Sequence, residues 1–173
     1  LGLSNKSWFG INGIELKFKE IKIYQPDVFT DYRGDLWTIS KQNRSDITPT
    51  SRVPPETSYF NHDKVSTSRK NVLRGIHGDF KSTKLVTCLH GELYFVVVDN
   101  RKDSKTYLEW DHMILDDRTR KMVLIPPGFG NAFLVLSESS VFFYKWSYDG
   151  NYPDVKDQFT IKWNDDTISI DWP

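Results

Sequence analysis

A length of 173 residues, with 23 basic and 23 acidic side chains, fits one domain that can bury its own core. The formal net charge of zero argues against a dedicated nucleic-acid-binding protein, which usually carries a basic excess. The single cysteine, Cys88, excludes an intramolecular disulfide framework and favours a reducing compartment. The sequence has no signal-peptide pattern and no run of the ~18 apolar residues that a membrane span needs. We therefore expect a cytoplasmic protein of one domain, residues 1–173, with no nucleic-acid or membrane partner.

The sequence pattern is that of a β protein, because short runs rich in β-branched and aromatic residues alternate with turn sequences. In chain order the predicted strands are residues 13–23, 35–40, 72–77, 83–89, 92–99, 106–115, 121–125, 132–136, 141–148 and 158–163. Residues 44–56 contain three prolines and are predicted to form a surface loop. Many short strands at this spacing predict an all-β sandwich or barrel.

Two of these runs alternate in a way that concerns assembly and function. Residues 14–19 alternate between apolar and charged, which predicts an edge strand that could be exchanged between the subunits of a dimer. In residues 141–148 the period of two puts Phe142, Tyr144, Trp146 and Tyr148 on one face. That face could fill the core, or it could line a pocket to which Tyr144 offers its hydroxyl group.

The four histidines, His62, His77, His90 and His112, lack the spacing of a metal site. Adjacent metal ligands on one strand face need a spacing of two residues, and no pair of these histidines has it. We therefore predict that the protein binds no metal.

His77 differs from the other histidines because Arg74 precedes it by three residues and glycines flank it at positions 75 and 78. Strict strand alternation would point Arg74 and His77 to opposite faces. A bulge at Gly75 would bring both to one face, since glycine tolerates unusual dihedral angles. Arginine binds phosphate through its planar fork and histidine transfers protons near neutral pH, so the pair is a candidate functional site.

Short motifs then follow one another in a fixed order: D-Y-R-G at 31–34, N-V-L-R-G-I-H at 71–77, K-L-V at 84–86, G-E at 91–92, V-D-N-R at 98–101, I-P-P-G-F at 125–129, Y-K at 144–145, W-N-D at 163–165 and I-D-W-P at 170–173. This ordered set resembles the dTDP-4-dehydrorhamnose 3,5-epimerase family over about residues 27 to 173. A narrower likeness rests on H-G-D at 77–79, K-L-V-T-C at 84–88, R-K-D-S at 101–104, G-N at 130–131 and D-Q-F-T at 157–160. These residues resemble a branch of bacterial capsule biosynthesis that epimerises GDP-linked 4-keto-6-deoxy-heptoses.

The resemblance implies a homodimeric, cupin-like jelly-roll β-barrel that uses no metal or cofactor and binds a nucleotide-sugar substrate in its mouth. His77 matches the family's general base, Tyr144 the proton donor on the opposite sugar face, and Lys84 a lysine near the enolate oxygen. Arg74 and Arg33 match positions that hold the diphosphate. The implied reaction inverts C3, C5 or both in a nucleotide-linked 4-keto-6-deoxy sugar.

The sequence also departs from the family pattern. Asn131 stands where a histidine usually follows the Pro-Gly-Phe turn, and we assign it to substrate binding, while Phe95 replaces an acidic residue of many relatives. The family commonly pairs the catalytic histidine with an aspartate beyond the Trp-Pro motif, and this sequence ends at that motif, at Pro173. A continuation of the chain, another partner for His77 and an impaired activity therefore all stay open.

Three other interpretations are also open. A 3,4-ketoisomerase would act on the same substrate class, although such enzymes tend to carry further histidines where residues 78–80 read Gly-Asp-Phe. A non-catalytic sugar-nucleotide-binding barrel would keep the fold without the chemistry, and the retention of His77, Lys84 and Tyr144 argues against it. A structural dimerisation domain would need only the exchangeable strand at residues 14–19.

Overall fold

The computed structural model describes residues 16–40, 60–147 and 157–173, and in these ranges the chain is built almost entirely of antiparallel strands. The strands are β1 (Lys22–Tyr24), β2 (Val28–Asp31), β3 (Gly34–Trp37), β4 (Phe60–Arg69), β5 (Leu73–Asp79), β6 (Thr83–His90), β7 (Glu92–Asp99), β8 (Trp110–Asp116), β9 (Met122–Ile125), β10 (Phe129–Val135), β11 (Ser139–Ser147) and β12 (Gln158–Thr160). The described residues include no helix long and apolar enough to cross a membrane. The prediction of an all-β fold is confirmed.

Two five-stranded sheets account for ten of the described strands and pack face to face as a jelly-roll barrel. The first sheet has the order β1-β9-β6-β11-β4 and the second has the order β12-β5-β10-β7-β8. A short turn at residues 70–72 joins β4 to β5 on one side of the barrel, and β8 and β9 lie toward the opposite side. The remaining two strands, β2 and β3, form a separate hairpin.

The main apolar core lies between the two sheets, where fully buried side chains such as Phe95 pack near Phe142. A second apolar layer covers the outer face of the second sheet, where Ile168 and Trp172 of the C-terminal segment pack with Tyr94. The Tyr94 hydroxyl group donates a hydrogen bond of 2.9 Å to the carbonyl oxygen of Asp171. The segment after β12 therefore covers the outer face of the second sheet and does not enter the space between the two sheets.

The largest difference from the predicted strands is β4, which lies in a stretch where none was predicted. Its sequence, F-N-H-D-K-V-S-T-S-R, has few apolar residues and alternates between exposed and partly buried positions. Apart from Phe60, the partly buried positions are polar, because they face the barrel interior at a place that is not filled by apolar side chains. Hydrophobic periodicity detects a strand only when its buried face is apolar, and β4 therefore escapes it. The short, mostly exposed β2 escapes it for the same reason.

Other predicted strands change in extent. In the described part of the run at 13–23, residues 16–21 lie outside any strand and β1 begins at Lys22. Leu16 and Phe18 are buried without strand pairing, so their alternation reflects core packing. The run at 106–115 begins at Trp110, because residues 104–109 form turns in which Leu108 has a φ of 63°. The run at 158–163 ends at Thr160.

Some predictions fall beyond what the structure describes. Residues 13–15, the predicted loop at 44–56 and Tyr148 lie outside the described ranges. Exchange of residues 14–19 between subunits and the extent of one domain over residues 1–173 stay predictions.

Candidate active site

The inner face of the first sheet carries an aromatic wall and a lysine. Tyr144 pairs in register with Val86, and Trp146 pairs with Lys84, while Val86 belongs to the core between the sheets. The ring centroids of Phe142 and Tyr144 are 5.7 Å apart, and those of Tyr144 and Trp146 are 5.8 Å apart. The predicted alternation along β11 is confirmed for these three aromatic residues, and Tyr144 and Lys84 face the interior.

Polar side chains of β4 extend this wall. Lys64 is the register partner of Tyr144, and His62 is the register partner of Trp146. The Lys64 Nζ atom lies 4.7 Å from the Trp146 ring centroid, and the Lys84 Nζ atom lies 4.9 Å from it. Two ammonium groups therefore meet at one indole ring, which attracts cations to its face. Sequence reasoning did not find Lys64 or assign a function to His62, because the strand that carries both was not predicted.

On the second sheet, a bulge in β5 brings Arg74 and His77 to the inner face. His77 pairs with Asn131 and Arg74 pairs with Phe133, so three steps along β5 correspond to two steps along β10. Gly75 lies within the bulge with a φ of +130°, and a Cβ atom there would come 2.6 Å from a backbone atom of β10. Only glycine fits such a position, and the predicted bulge is confirmed.

His77 has a hydrogen-bonding partner on β12, since its Nδ1 atom lies 3.0 Å from the Thr160 hydroxyl oxygen. When Nδ1 carries the proton and donates it to this hydroxyl group, Nε2 keeps its lone pair and can accept a proton. Partial burial, and then the charge of Lys84, lower the pKa of His77 below its ordinary value of 6.5. The imidazole is therefore neutral, as a base must be, at neutral pH.

Two glycines allow β12 to reach His77. Gly78 of β5 pairs with Gly130 of β10 on one side and with Phe159 of β12 on the other. A Cβ atom on Gly130 would lie 3.2 Å from the Phe159 ring, and one on Gly78 would overlap that ring. The ring thus lies over the glycines on the outer face, and the next residue, Thr160, points to the inner face.

Lys84 is buried, with 6% of its surface exposed, and its Nζ atom lies 3.7 Å from Oδ2 of Asp79. Desolvation lowers the pKa of Lys84, Asp79 opposes this shift, and the charge of Lys64 adds to it. A cation in such a place acts strongly on a negative charge that develops nearby, because little water screens it. Sequence reasoning did not assign a role to Asp79, although its position two residues after His77 on a strand puts it on the same face.

The other predicted binding residues divide into two groups. Asn131 is half-buried beside the candidate base, and Arg74 donates a hydrogen bond of 2.9 Å from Nε to the Ser68 hydroxyl oxygen on β4. Arg33 instead lies on the β2–β3 hairpin, where its exposed guanidinium group pairs with Asp31 at 2.5 Å. Its predicted contact with a diphosphate stays a prediction, as do the assigned roles of the interior residues.

Cys88 is buried, as the sequence predicts, and burial raises the pKa of its thiol group to about 12. It is therefore an unreactive core residue. No cluster of three or more histidine, cysteine, aspartate or glutamate side chains within the described ranges is arranged to hold a metal ion. That the protein works without a metal stays a prediction.

Comparison with known proteins identifies the family to which this arrangement belongs. The sequence profile of the dTDP-4-dehydrorhamnose 3,5-epimerase family matches residues 15–173. The chain belongs to this family. It is 36% identical over 166 residues to the dTDP-4-dehydrorhamnose 3,5-epimerase of Escherichia coli strain K12, an alignment that covers 94% of this chain and 85% of the relative.

Solved structures support the same assignment. A dTDP-6-deoxy-D-glucose-3,5-epimerase from Legionella pneumophila, crystallised with dTDP-4-keto-L-rhamnose, has 32% identity and a TM-score of 0.75, covering 92% of this chain and 83% of that one. A dTDP-4-dehydrorhamnose 3,5-epimerase from Bacillus anthracis, with TDP and PPi bound, has 28% identity and a TM-score of 0.77, covering 92% and 89%. The cupin-like jelly-roll barrel and an epimerase of the isomerase class, both predicted from the sequence, are confirmed.

Proposed function

We propose that this chain inverts C3, or both C3 and C5, of a nucleotide-linked 4-keto-6-deoxy sugar held in the barrel interior. One observation carries the proposal. His77 and Tyr144 come from two sheets that face each other, and Lys84 lies on β6, the strand next to the one that carries Tyr144. A sugar ring between the sheets would therefore meet a base on one face, a phenol on the other and a cation at its edge.

The surroundings of Lys84 suit a cation that acts in a dry site. Lys84 pairs in register with Trp146 of β11 on one side and with Ile125 of β9 on the other. Ile125 is fully buried in the core between the sheets. The ammonium group therefore extends from a wall whose neighbouring members are apolar or aromatic, and its charge is little screened by water.

The chemistry requires these three groups together. A hydrogen alpha to a ketone is too weak an acid for a neutral imidazole unless the enolate is stabilised. In the proposed step, His77 Nε2 takes the proton from C3, the C–H electron pair forms the C3–C4 double bond, and the C4 oxygen becomes negative beside Lys84. A preorganised contact of this kind is worth about 10²–10³-fold in rate, and a positioned acid or base about 10²–10⁴-fold.

Inversion is completed when a proton returns to the opposite face of the same carbon. Tyr144 lies on the opposite sheet and offers its hydroxyl group for this transfer. Proton removal and return on one face would only exchange the hydrogen, so the placement of donor and acceptor on different sheets supports an epimerase. The same enolate chemistry at C5 would invert that centre as well.

The proposal also concerns which nucleotide the substrate carries and whether its sugar is a hexose or a heptose. The relatives named above act on or bind dTDP-linked compounds, which favours a dTDP-linked hexose. The short motifs at 77–79, 130–131 and 157–160 favour a GDP-linked heptose of capsular polysaccharide biosynthesis instead. With either substrate, we propose that the chain works in the cytoplasm and supplies a deoxysugar for surface polysaccharides.

A homodimer is also part of the proposal. The β2–β3 hairpin exposes apolar side chains, including Phe29 with 63% and Leu36 with 71% of their surface exposed. Exposed apolar patches of this kind commonly mark interaction sites. Arg33 lies on the same hairpin, so a partner subunit bound there would receive its guanidinium group. Sedimentation analysis of the wild type and of Phe29→Ser tests this, and a monomeric wild type would contradict it.

The deciding experiment is proton NMR in heavy water with dTDP- and GDP-linked 4-keto-6-deoxy sugars. Loss of the C3 and C5 proton signals would establish a 3,5-epimerase, and loss of the C3 signal alone would establish a 3-epimerase. Movement of the ketone to C3 would instead establish the 3,4-ketoisomerase. Binding of the nucleotide sugar without any exchange would overturn the proposal in favour of a non-catalytic barrel.

A further inference from the structure

Asp79, the last residue of β5, and Lys84, near the start of β6, form a buried ion pair. Their charged atoms are 3.7 Å apart, and the side chains are 1% and 7% exposed. Asp79 follows His77 by two residues on the same strand, so both side chains are on the inner face. One strand thus carries the candidate base and the counter-charge of the candidate enolate-stabilising lysine.

The Asp79 carboxylate is fixed by the turn that follows β5. Its Oδ1 atom accepts hydrogen bonds from the backbone N–H groups of Lys81 at 2.9 Å and of Ser82 at 2.6 Å. Its Oδ2 atom accepts one from the Ser82 hydroxyl group and faces Lys84. With both oxygens engaged and almost no exposed surface, Asp79 acts on a substrate only through Lys84.

We propose that Asp79 is a positioning residue that holds the Lys84 ammonium group in place and in its charged form beside the sugar ketone. The inference rests on the proposed function and adds a residue to it. Replacing the carboxylate by a neutral amide of the same shape would leave Lys84 with the desolvation of its site and without the opposite charge.

The other groups around Lys84 give Asp79 this importance. From β4, Lys64 and His62 face the same interior, and Lys64 favours the neutral form of Lys84. His77 of β5 and Tyr144 of β11 face the barrel interior as well. Asp79 is the carboxylate among these neighbours in the described part of the chain, and it opposes the loss of the proton from Lys84.

Asp79→Asn tests the proposal by the pH dependence of exchange, measured with whichever nucleotide sugar the wild type accepts. Without the carboxylate the pKa of Lys84 falls, so Lys84 loses its proton at lower pH and the alkaline limb of the kcat profile moves to lower pH. At pH 9 we expect kcat to fall on the order of 10²-fold, the scale of one lost electrostatic contact. The loss at pH 6 should be smaller, and KM should be unchanged because Asp79 does not contact the substrate.

Asp99→Asn is the matched control, because Asp99 is also fully buried and ion-paired, with Arg101 at 2.8 Å. Asp99 is the last residue of β7, and its carboxylate is engaged by Arg101 and by the Thr106 hydroxyl group of the loop that follows. We expect this variant to lose stability without moving the alkaline limb. An Asp79→Asn profile that only scales down at every pH, as it does when less protein is folded, would overturn the proposal.

Two further measurements keep the test decisive. If Asp79→Asn does not fold, Ser82→Ala is the second variant, because it removes the hydrogen bond from the Ser82 hydroxyl group to Asp79 and keeps the charge of the carboxylate. It should move the alkaline limb of the kcat profile in the same direction by a smaller amount. The ¹³Cε shift of Lys84, assigned with Lys84→Arg, follows the same titration without any substrate. If the wild type exchanges protons but Lys84 titrates in the variants as it does in the wild type, the role of Asp79 is refuted and the proposed function is not. If the wild type shows no exchange, the proposed function itself is refuted.

Discussion

The two sides of the barrel interior are lined by adjoining strands and have opposite chemistry. Toward β4 and β5 the inner face is polar and carries His62, Lys64, Ser68, Arg74, His77 and Asp79. Toward β8 and β9 it is apolar and carries Phe95, Val97, Met113, Leu115, Val123 and Ile125. The change from polar to apolar side chains occurs within single strands. On the inner face of β11, the apolar Phe142 is followed two residues later by Tyr144, and on β6, Lys84 is followed two residues later by the apolar Val86.

In the proposed function the polar side supplies the reacting groups, while the apolar side supplies the buried area that stabilises the fold. Phe95 illustrates this division, because it is fully buried on the apolar side. Substitutions on the two sides should therefore separate rate from stability.

The largest effect is expected from His77→Asn, which removes the base on the polar side. Exchange at C3 should fall by at least about 10²-fold and by as much as about 10⁴-fold. The unfolding midpoint should change little, because His77 lies outside the apolar core. Exchange by NMR and thermal unfolding by circular dichroism measure the two properties, and substantial turnover by the variant would contradict the assignment of the base.

Phe95→Ala is the matching change on the apolar side. A buried phenylalanine replaced by alanine costs about 3–5 kcal/mol of unfolding free energy, through lost burial and the cavity left behind. Denaturant titration should detect this loss, while the exchange rate per folded molecule should stay close to that of the wild type. A large loss of rate in the folded fraction would show that the two sides are not separable.

Lys84→Met should lower kcat of the folded protein by about 10²–10³-fold, because a neutral side chain cannot stabilise the enolate. Lys84→Arg keeps the charge and serves as the control, with a smaller loss expected. Equal rates for Lys84→Met and the wild type would remove Lys84 from the reaction.

Tyr144→Phe should affect C5 inversion more than exchange at C3. Loss of the positioned hydroxyl group is expected to cost about 10²-fold at C5, where a proton must arrive on the opposite face. Separate integration of the two proton signals during one reaction gives both rates. Equal losses at the two carbons would contradict the division of roles between His77 and Tyr144.

The smallest effect concerns the acid limb of kcat/KM. Burial and Lys84 lower the pKa of His77 below 6.5, so the neutral base persists to lower pH and the limb lies below that value. Lys84→Met removes the second of these causes, and the limb should move upward toward the ordinary imidazole value. A rate profile of the wild type and of this variant checks the direction, and a downward movement would be inconsistent with the proposed base.

The sequence predicts the apolar side of the barrel well and the polar side in part. Strand β7 is predicted with its observed bounds because its residues are almost all apolar. The bulge at Gly75 is also predictable, since Arg74 and His77 are useful together only on one face. By contrast, β4 has no hydrophobic periodicity, and its contribution of Lys64 appears only when β4 pairs with β11.

Partners brought from far along the chain are also beyond the sequence pattern. Thr160 lies 83 positions after His77, and no local spacing relates the two residues. The separation of Arg33 from the interior depends on how the β2–β3 hairpin packs, and Arg120 holds that hairpin by binding Asp35 and lying over Trp37.

The docking of Phe159 over Gly78 and Gly130 has a consequence for local opening of the candidate site. β12 is a strand of three residues at the edge of the second sheet, so detachment of this strand would separate Thr160 from His77 while β5 stays paired with β10. The candidate base would then keep its place and lose the hydroxyl group that its Nδ1 atom contacts. Exchange activity should therefore be lost at a lower denaturant concentration than the near-UV circular dichroism signal of the buried aromatic core.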